Sequence, residues 1–286
     1  MLSAALFVLL PISAWDFATT QNETTQSVQL RLGAEFSKKW KNGLSLHFGE
    51  DLRFDLYESV DLQRAATQGG DSTYLNTPDF SKSYTTLSLS YKHPQFPYLK
   101  GDIGYTLKLT KKSSADVNKI MRHRVFFSLT GSYHYENWSF SLRERVLTEI
   151  RMGDIDYHNA SGLYEANRAN WDLRSKLEVA YHFQSKPLKP YVWCEVINTL
   201  NANELQQYYA NNDHSNPGRQ YIRRVRAQAG IVWRLTRLSS LNFYYRFQYA
   251  YDRDINVKPN KQTIHLSEDR NYQHIIGIEY HFGLKD

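Results

Sequence analysis

In residues 241–251 the chain reads Leu-Asn-Phe-Tyr-Tyr-Arg-Phe-Gln-Tyr-Ala-Tyr, so that an apolar or aromatic residue occupies every odd position. In an extended chain these odd positions share one face, while Asn242, Arg246 and Gln248 lie on the opposite face. A helix would mix the two sets around its axis. The stretch therefore predicts a β-strand with one apolar face and one polar face.

The same alternation defines eleven segments along the chain. They run about 11–14 residues, which is enough for a tilted strand to cross an apolar band of ~25 Å, whereas strands of soluble proteins usually have about 5–6 residues. A soluble periplasmic β-sandwich is the alternative that this length disfavours. The predicted strands are residues 28–40, 44–57, 83–92, 98–110, 121–134, 138–151, 170–183, 190–199, 220–235, 240–253 and 271–282.

The connectors between these strands are alternately short and long. Short ones fall near residues 41, 94, 136, 186 and 237. Long polar ones include residues 58–82, 152–169, 200–219 and 254–270. Bacterial outer-membrane barrels have short periplasmic turns and long outer loops. The pattern predicts an all-β fold, a transmembrane antiparallel up-and-down β-barrel.

The number of strands does not follow from the alternation alone. Barrels of this kind have an even number of strands, whereas eleven segments alternate. A further short strand within Asp16–Glu23 would give about twelve strands, which is the prediction made here. The alternative is ten strands, which would follow if two of these segments were one strand wrongly split.

Composition agrees with a barrel and excludes other classes. Aromatic residues make up 14% of the 286 residues, as expected for rings that anchor a barrel at both membrane interfaces. The basic residues behind the net charge of +6 are spread singly along the strands, so no nucleic-acid partner is predicted. Cys194 is the only cysteine, which excludes an intramolecular disulfide. No metal site and no cofactor is predicted.

The N-terminal residues 1–14 are predicted to be a signal peptide. Their apolar stretch is too short to cross a bilayer as a helix, and Ser13 and Ala14 are small residues that suit cleavage. The usual Lys or Arg at the start is missing, so this signal peptide is expected to be incomplete at its N-terminus. A buried first strand or helix is the alternative. Residues 15–286 are then one barrel domain in the outer membrane of a Gram-negative bacterium.

The polar face of the strands is charged with both signs, and alternation points it into the barrel. The predicted basic residues of the lumen are Arg31, Arg53, Lys108, Arg122, Arg124, Arg143, Arg145, Arg174, Lys176, Arg224, Arg226 and Arg246. The predicted acidic ones are Glu35, Asp51, Asp55, Glu149 and Glu178. Either these groups form ion pairs that fill a narrow barrel, or they line a pore for anionic solutes such as acidic oligosaccharides. Both interpretations give a structural or channel-like, porin-like role.

Glu50 and Glu144 do not fit simple alternation. They end two similar stretches, Leu44-Ser-Leu-His-Phe-Gly-Glu50 and Trp138-Ser-Phe-Ser-Leu-Arg-Glu144. Alternation would direct both carboxylates toward lipid, which costs free energy. We therefore expect either a β-bulge near Gly49 or Arg143 that turns them inward, or a position at the membrane interface.

Catalysis is the minor alternative. Ser45 and His47, like Ser132 and His134, place a hydroxyl and an imidazole on one strand face, as a membrane-embedded lipid esterase could use them. Residues i and i+2 share a face in every strand, so such pairs arise by chance. No catalytic residue is predicted, and the protein is expected not to be an enzyme.

Several short blocks, taken in order, resemble a known family. They include Leu32-Gly-Ala-Glu-Phe36, Arg122-His-Arg-Val-Phe-Phe127, Trp138-Ser-Phe-Ser-Leu-Arg-Glu-Arg145, Leu173-Arg-Ser-Lys-Leu177 and His274-Ile-Ile-Gly277. The chain resembles, over residues 28–282, the domain-of-unknown-function family 2490 of outer-membrane β-barrels. The resemblance implies outer-membrane lipid and the barrel-insertion machinery as partners, but no activity and no catalytic residues.

Overall fold

The structure is a computed structural model that describes residues 22–62, 73–75, 79–111, 121–151, 169–201, 221–258 and 263–285. The predicted signal peptide, residues 1–14, lies outside the described residues. In the part of the chain that is described, no helix has the length and apolar composition needed to cross a bilayer.

The described residues form twelve strands, and eleven of them match the predicted segments closely. They are β1 (Asn22–Lys39), β2 (Leu44–Leu62), β3 (Thr73–Leu75), β4 (Asp79–Lys92), β5 (Leu99–Thr110), β6 (Met121–Tyr135), β7 (Trp138–Arg151), β8 (Ala169–Tyr181), β9 (Leu188–Thr199), β10 (Tyr221–Arg234), β11 (Ser239–Lys258) and β12 (Thr263–Lys285). The all-β prediction is confirmed.

Eleven of the described strands close into a barrel. Each pairs in antiparallel fashion with its neighbours in the chain, and β1 closes the ring by pairing in parallel with β12, from Asn22 beside Glu268 to Lys39 beside Lys285. The short strand β3 pairs only with the end of β2, at Glu58–Val60, so it is not part of the ring.

The prediction of twelve barrel strands is therefore wrong for the described residues, and so is the alternative of ten. The segment Asp16–Glu23 was expected to hold the extra strand, but Asn22 and Glu23 are the first residues of β1 itself. Strand β1 is hydrogen-bonded to β12 on one edge and to β2 on the other. Neither edge is open for another strand, because a strand edge can pair only once.

Residues 254–270 are not the long connector that was predicted. Their backbone continues β11 to Lys258 and begins β12 at Thr263, so that only residues 259–262 separate the two strands. This hairpin extends past the end of β10, whose pairing with β11 stops at Ala250. A two-stranded ribbon that leaves the sheet needs no apolar face, and its strands therefore lack the alternation by which strands are predicted.

Burial in the barrel is the reverse of that in a soluble protein. On β6, the Phe127 side chain is 59% exposed, whereas its neighbour Ser128 is fully buried. Among the described residues, each of the eleven ring strands carries exposed large apolar side chains. The buried set consists mostly of Ser, Thr, Gln, Asn and charged residues. The core is thus polar and lies inside the barrel.

Glycine makes room for large aromatic rings in this polar interior. Tyr244 of β11 lies directly opposite Gly277 of β12, and Phe126 of β6 lies opposite Gly104 of β5. A Cβ atom added at either glycine would collide with the facing ring. The glycines therefore let these rings lie flat against the neighbouring strand.

We expect Gly277→Ala to lower the free energy of unfolding by about 1–3 kcal/mol, because the new methyl group displaces the Tyr244 ring from a filled interior. Urea titration of the folded protein in detergent measures this value. Gly131→Ala is the control, since a Cβ at Gly131 meets nothing within 4 Å. Equal stability losses in the two variants would contradict the prediction.

Candidate functional site in the barrel interior

The barrel encloses a cavity of about 700 Å³. Ten of the twelve predicted basic residues line it, and the other two, Lys108 and Arg122, contact Glu149 beside it. Of the predicted acidic residues, Glu35, Asp51 and Glu178 line the cavity. Asp55 accepts a hydrogen bond from the Gln29 amide instead.

Glu149 is the carboxylate with the most cationic neighbours among the described residues. Arg122 Nη1 donates to Glu149 Oε1 and Arg124 Nε donates to Glu149 Oε2, each at 2.5 Å. Lys108 Nζ lies 3.8 Å from Glu149 Oε1. One side chain of β7 thus joins cations from β5 and β6.

Two further carboxylates bridge arginines in the same way. Asp51 accepts from Arg31 Nε at 2.6 Å and from Arg53 Nη2 at 3.3 Å. Glu195 accepts from Arg143 Nη2 at 2.9 Å and from Arg226 Nη1 at 3.0 Å. Each carboxylate neutralises only one of the two arginine charges that it bridges, so each bridge keeps a net positive charge.

Aromatic rings also lie between pairs of cations in the interior. The Tyr84 ring has the guanidinium of Arg53 at 4.3 Å and that of Arg124 at 5.1 Å from its centroid. The Trp193 ring likewise has Lys176 Nζ at 4.9 Å and the Arg246 guanidinium at 5.1 Å. The negative face of an aromatic ring attracts a cation, so these rings hold like charges apart while binding both.

Sequence reasoning missed these interior rings and several charged residues. These rings lie on the polar face of their strands and belong to Tyr84, Phe126, Tyr191, Trp193 and Tyr244. A glycine lies directly opposite each of Phe126, Tyr191 and Tyr244 on the neighbouring strand, and those glycines were the sequence signal for an interior ring. The charged residues Lys100, Asp102, Lys189, Glu195 and Glu279 also line the cavity. Their parity alone predicts an inward position.

One end of the cavity holds a cluster of imidazoles and carboxylates. His47 Nδ1 lies 3.0 Å from Glu35 Oε1, and His281 Nδ1 lies 3.5 Å from Glu35 Oε2. His281 Nε2 is 3.7 Å from Glu279 Oε2. In the described part of the chain, no group of three or more His, Cys, Asp or Glu is arranged to hold a metal ion.

The cavity lining carries more positive than negative charge. Among the described residues, twelve Lys and Arg side chains border it, against six carboxylates at inward-facing positions. The cations are Arg31, Arg53, Lys100, Arg124, Arg143, Arg145, Arg174, Lys176, Lys189, Arg224, Arg226 and Arg246, and the carboxylates are Glu35, Asp51, Asp102, Glu178, Glu195 and Glu279. Among the described residues, the lining therefore has an excess of positive charge.

Glu50 and Glu144 are not turned inward by a bulge. Strand pairing runs without a register shift through Gly49 and Arg143, so that bulge prediction is wrong. Glu50 borders the cavity but keeps the parity of the exposed Phe48, and it accepts a hydrogen bond from Thr85 Oγ1 at 2.6 Å.

Glu144 has the same arrangement on another pair of strands. It lies between the exposed Leu142 and Val146 on the outward face of β7 and accepts from Ser175 Oγ at 2.6 Å. In both cases a hydroxyl on the neighbouring strand satisfies the carboxylate, so no bulge is needed.

A family model matches most of the chain. The model described as "Protein of unknown function (DUF2490)" matches residues 32–258. The chain belongs to the DUF2490 family. No curated protein matches this DUF2490 member. Among solved structures, one described as "NanC porin structure in rhombohedral crystal form" is similar, with a TM-score of 0.37 and 12% identity over 85% of this chain and 96% of that chain.

For this DUF2490 protein we expect Glu149→Gln to lower the free energy of unfolding by about 3–5 kcal/mol, because three cations then lose their buried carboxylate. Denaturant titration in detergent measures the loss. Asp79→Asn is the control, because Asp79 pairs with Lys111 at the exposed surface and such pairs contribute about 0–1 kcal/mol. A loss at Glu149 no larger than the loss at Asp79 would sink the prediction.

Proposed function

We propose that this protein is an outer-membrane β-barrel whose interior forms a pore selective for anionic solutes. The observation that carries the proposal is the excess of cations on the cavity lining, twelve against six inward-facing carboxylates among the described residues. A confined interior of one dominant charge raises the local concentration of the opposite ion. A cavity of about 700 Å³ offers room for small solutes.

The outward face supports a membrane location. Between the ends of the strands it exposes apolar side chains, among them Ile103, Phe127, Leu129 and Leu177. Toward the short turns they become aromatic, as in Trp138. An apolar belt bordered by aromatic rings is the surface that outer-membrane barrels present to lipid. Outer-membrane lipid and the barrel-insertion machinery are then the partners of the chain.

The proposal includes no catalytic step. Ser45 and His47, one of the two esterase candidates, lie at odd positions of β2, on the face of Asp51 and Arg53. The His47 ring pairs with Glu35 across the strands. This face borders the polar interior, whereas an enzyme that cleaves membrane lipids needs its nucleophile where acyl chains reach it.

Expressed with a functional export signal, the protein is expected to stay in the membrane pellet through an alkaline wash and to leave it only with detergent, since its exposed face is apolar. Fractionation followed by immunoblotting measures this. Unheated samples should also migrate differently from boiled ones on a gel, because a closed barrel resists unfolding by detergent. Release into the soluble fraction without detergent would refute the membrane location.

In planar bilayers with a potassium chloride gradient, we expect a reversal potential whose sign reports chloride permeating faster than potassium. Lys189→Gln should reduce this preference, because Lys189 borders the cavity. Lys186→Gln removes the same charge from the exposed turn between β8 and β9, outside the cavity lining, and should change the preference less. A pore that prefers potassium, or an intact barrel that carries no current, would refute anion conduction.

A further inference from the structure

Neighbouring strands place cations directly opposite each other inside the barrel. Such pairs are Arg31 with Arg53, Lys108 with Arg122, Arg143 with Lys176, and Arg145 with Arg174. Like charges directly opposite each other on adjacent strands destabilise a sheet. Each pair therefore needs negative charge nearby.

The first three pairs have that charge within the protein. Asp51 bridges Arg31 and Arg53. Glu149 contacts both Lys108 and Arg122. In the third pair each cation has its own carboxylate, with Arg143 bound to Glu195 at 2.9 Å and Lys176 bound to Glu178 at 2.7 Å.

The pair of Arg145 and Arg174 differs. Arg145 makes no salt bridge with any described residue; its Nε donates to the buried Ser128 hydroxyl at 2.8 Å, and its guanidinium lies 4.0 Å above the centroid of the Phe126 ring. Arg174 has one salt bridge with a described residue, from Nη2 to Asp172 Oδ2 at 3.4 Å.

Unused donors accompany this unbalanced charge. In the described part of the chain, the Nε atoms of Arg143 and Arg174 are buried and have no hydrogen-bond partner. A buried donor without a partner costs about 1–3 kcal/mol, more where it is charged. The Nε atoms themselves are closed off, but both arginines line the cavity beside Arg145 and their side chains are 25% and 13% exposed, so an anion in the cavity can reach the outer part of each guanidinium.

We propose that Arg145 and Arg174, together with Arg143, bind the phosphate group of a solute inside the barrel. This inference rests on the proposed anion pore and names its substrate class. A dianion matches Arg145, which has no salt bridge with a described residue, together with Arg174, whose one carboxylate partner lies at 3.4 Å. Phosphate oxygens also match the planar fork of arginine, with several acceptors for several donors. A monoanionic carboxylate would offset only one of the two charges, and chloride offers no directed acceptors.

The partners of Arg145 prepare it for this role. Ser128 and Phe126 are both buried, and Gly104 leaves the space in which the Phe126 ring lies against β5. A guanidinium that is fixed by a hydroxyl at Nε and by a ring at its face loses little conformational entropy when it binds a ligand. The site is therefore built before the anion arrives.

The test is a calorimetric titration of the purified full-length barrel in detergent with inorganic phosphate, at constant ionic strength and at a pH where phosphate is a dianion. We expect wild type to bind and Arg145→Gln to raise Kd by at least about tenfold, which corresponds to one lost charge-assisted hydrogen bond. Arg122→Gln is the matched control, because Arg122 lies outside the cavity lining and its guanidinium is bound to Glu149, and it should leave Kd within about twofold.

Two further measurements keep the result interpretable. Arg174→Gln should weaken binding as Arg145→Gln does, while Arg145→Lys should retain part of it because the charge remains. Each variant is first checked for the heat-modifiable gel shift of a folded barrel. A water-soluble phosphate monoester should compete with inorganic phosphate, whereas phospholipid added to the micelle should not, because the arginines face the interior.

The outcomes separate this inference from the pore on which it rests. Wild-type protein that prefers chloride in bilayers but binds no phosphate would overturn the phosphate site and leave the pore intact. Equal weakening by Arg145→Gln and Arg122→Gln would overturn it as well, since any interior charge would then suffice, and so would competition by phospholipid. Potassium preference in bilayers refutes the pore itself.

Discussion

The interior of this barrel depends on carboxylates that are each shared by two or more cations from different strands. Asp51, Glu149 and Glu195 bridge in this way and, with their partners, connect seven of the eleven ring strands described. A buried charge is tolerated only when it is paired and hydrogen-bonded. Because the bridges reach across neighbouring strands, they also fix the strand register from the inside, where a soluble protein would use apolar packing.

Closure of the sheet determines how these charges are arranged. With β1 bonded to both β2 and β12, the polar faces of all ring strands point at one another across a narrow space. Aromatic side chains such as Tyr84 and Trp193 then lie between cations, and Gly104 and Gly277 provide room for the Phe126 and Tyr244 rings. The apolar side chains remain on the outer surface, where their exposure to water is unfavourable.

Alternation was sufficient to predict the strands and the direction of their side chains, because a period of two is a local property of the chain. It could not predict closure, since which strand pairs with β1 depends on the whole ring and not on Asn22–Lys39 alone. It also missed the polar hairpin that ends at Lys258 and begins again at Thr263, which has no apolar face to mark it. Glu50 was misjudged because its partner, Thr85, is distant in sequence.

The distribution of charge argues that the interior does more than hold the barrel together. Filling a barrel with balanced ion pairs, or with apolar groups, costs less than leaving cations without a counter-charge. Yet Glu149 contacts three cations, while Arg145 contacts the Ser128 hydroxyl and the Phe126 ring and has no salt bridge within the described residues. Such an imbalance is retained at a cost in stability, as is typical of functional sites. In the proposed pore a mobile anion completes the interior, and the positions of Arg145 and Arg174 determine which anion fits.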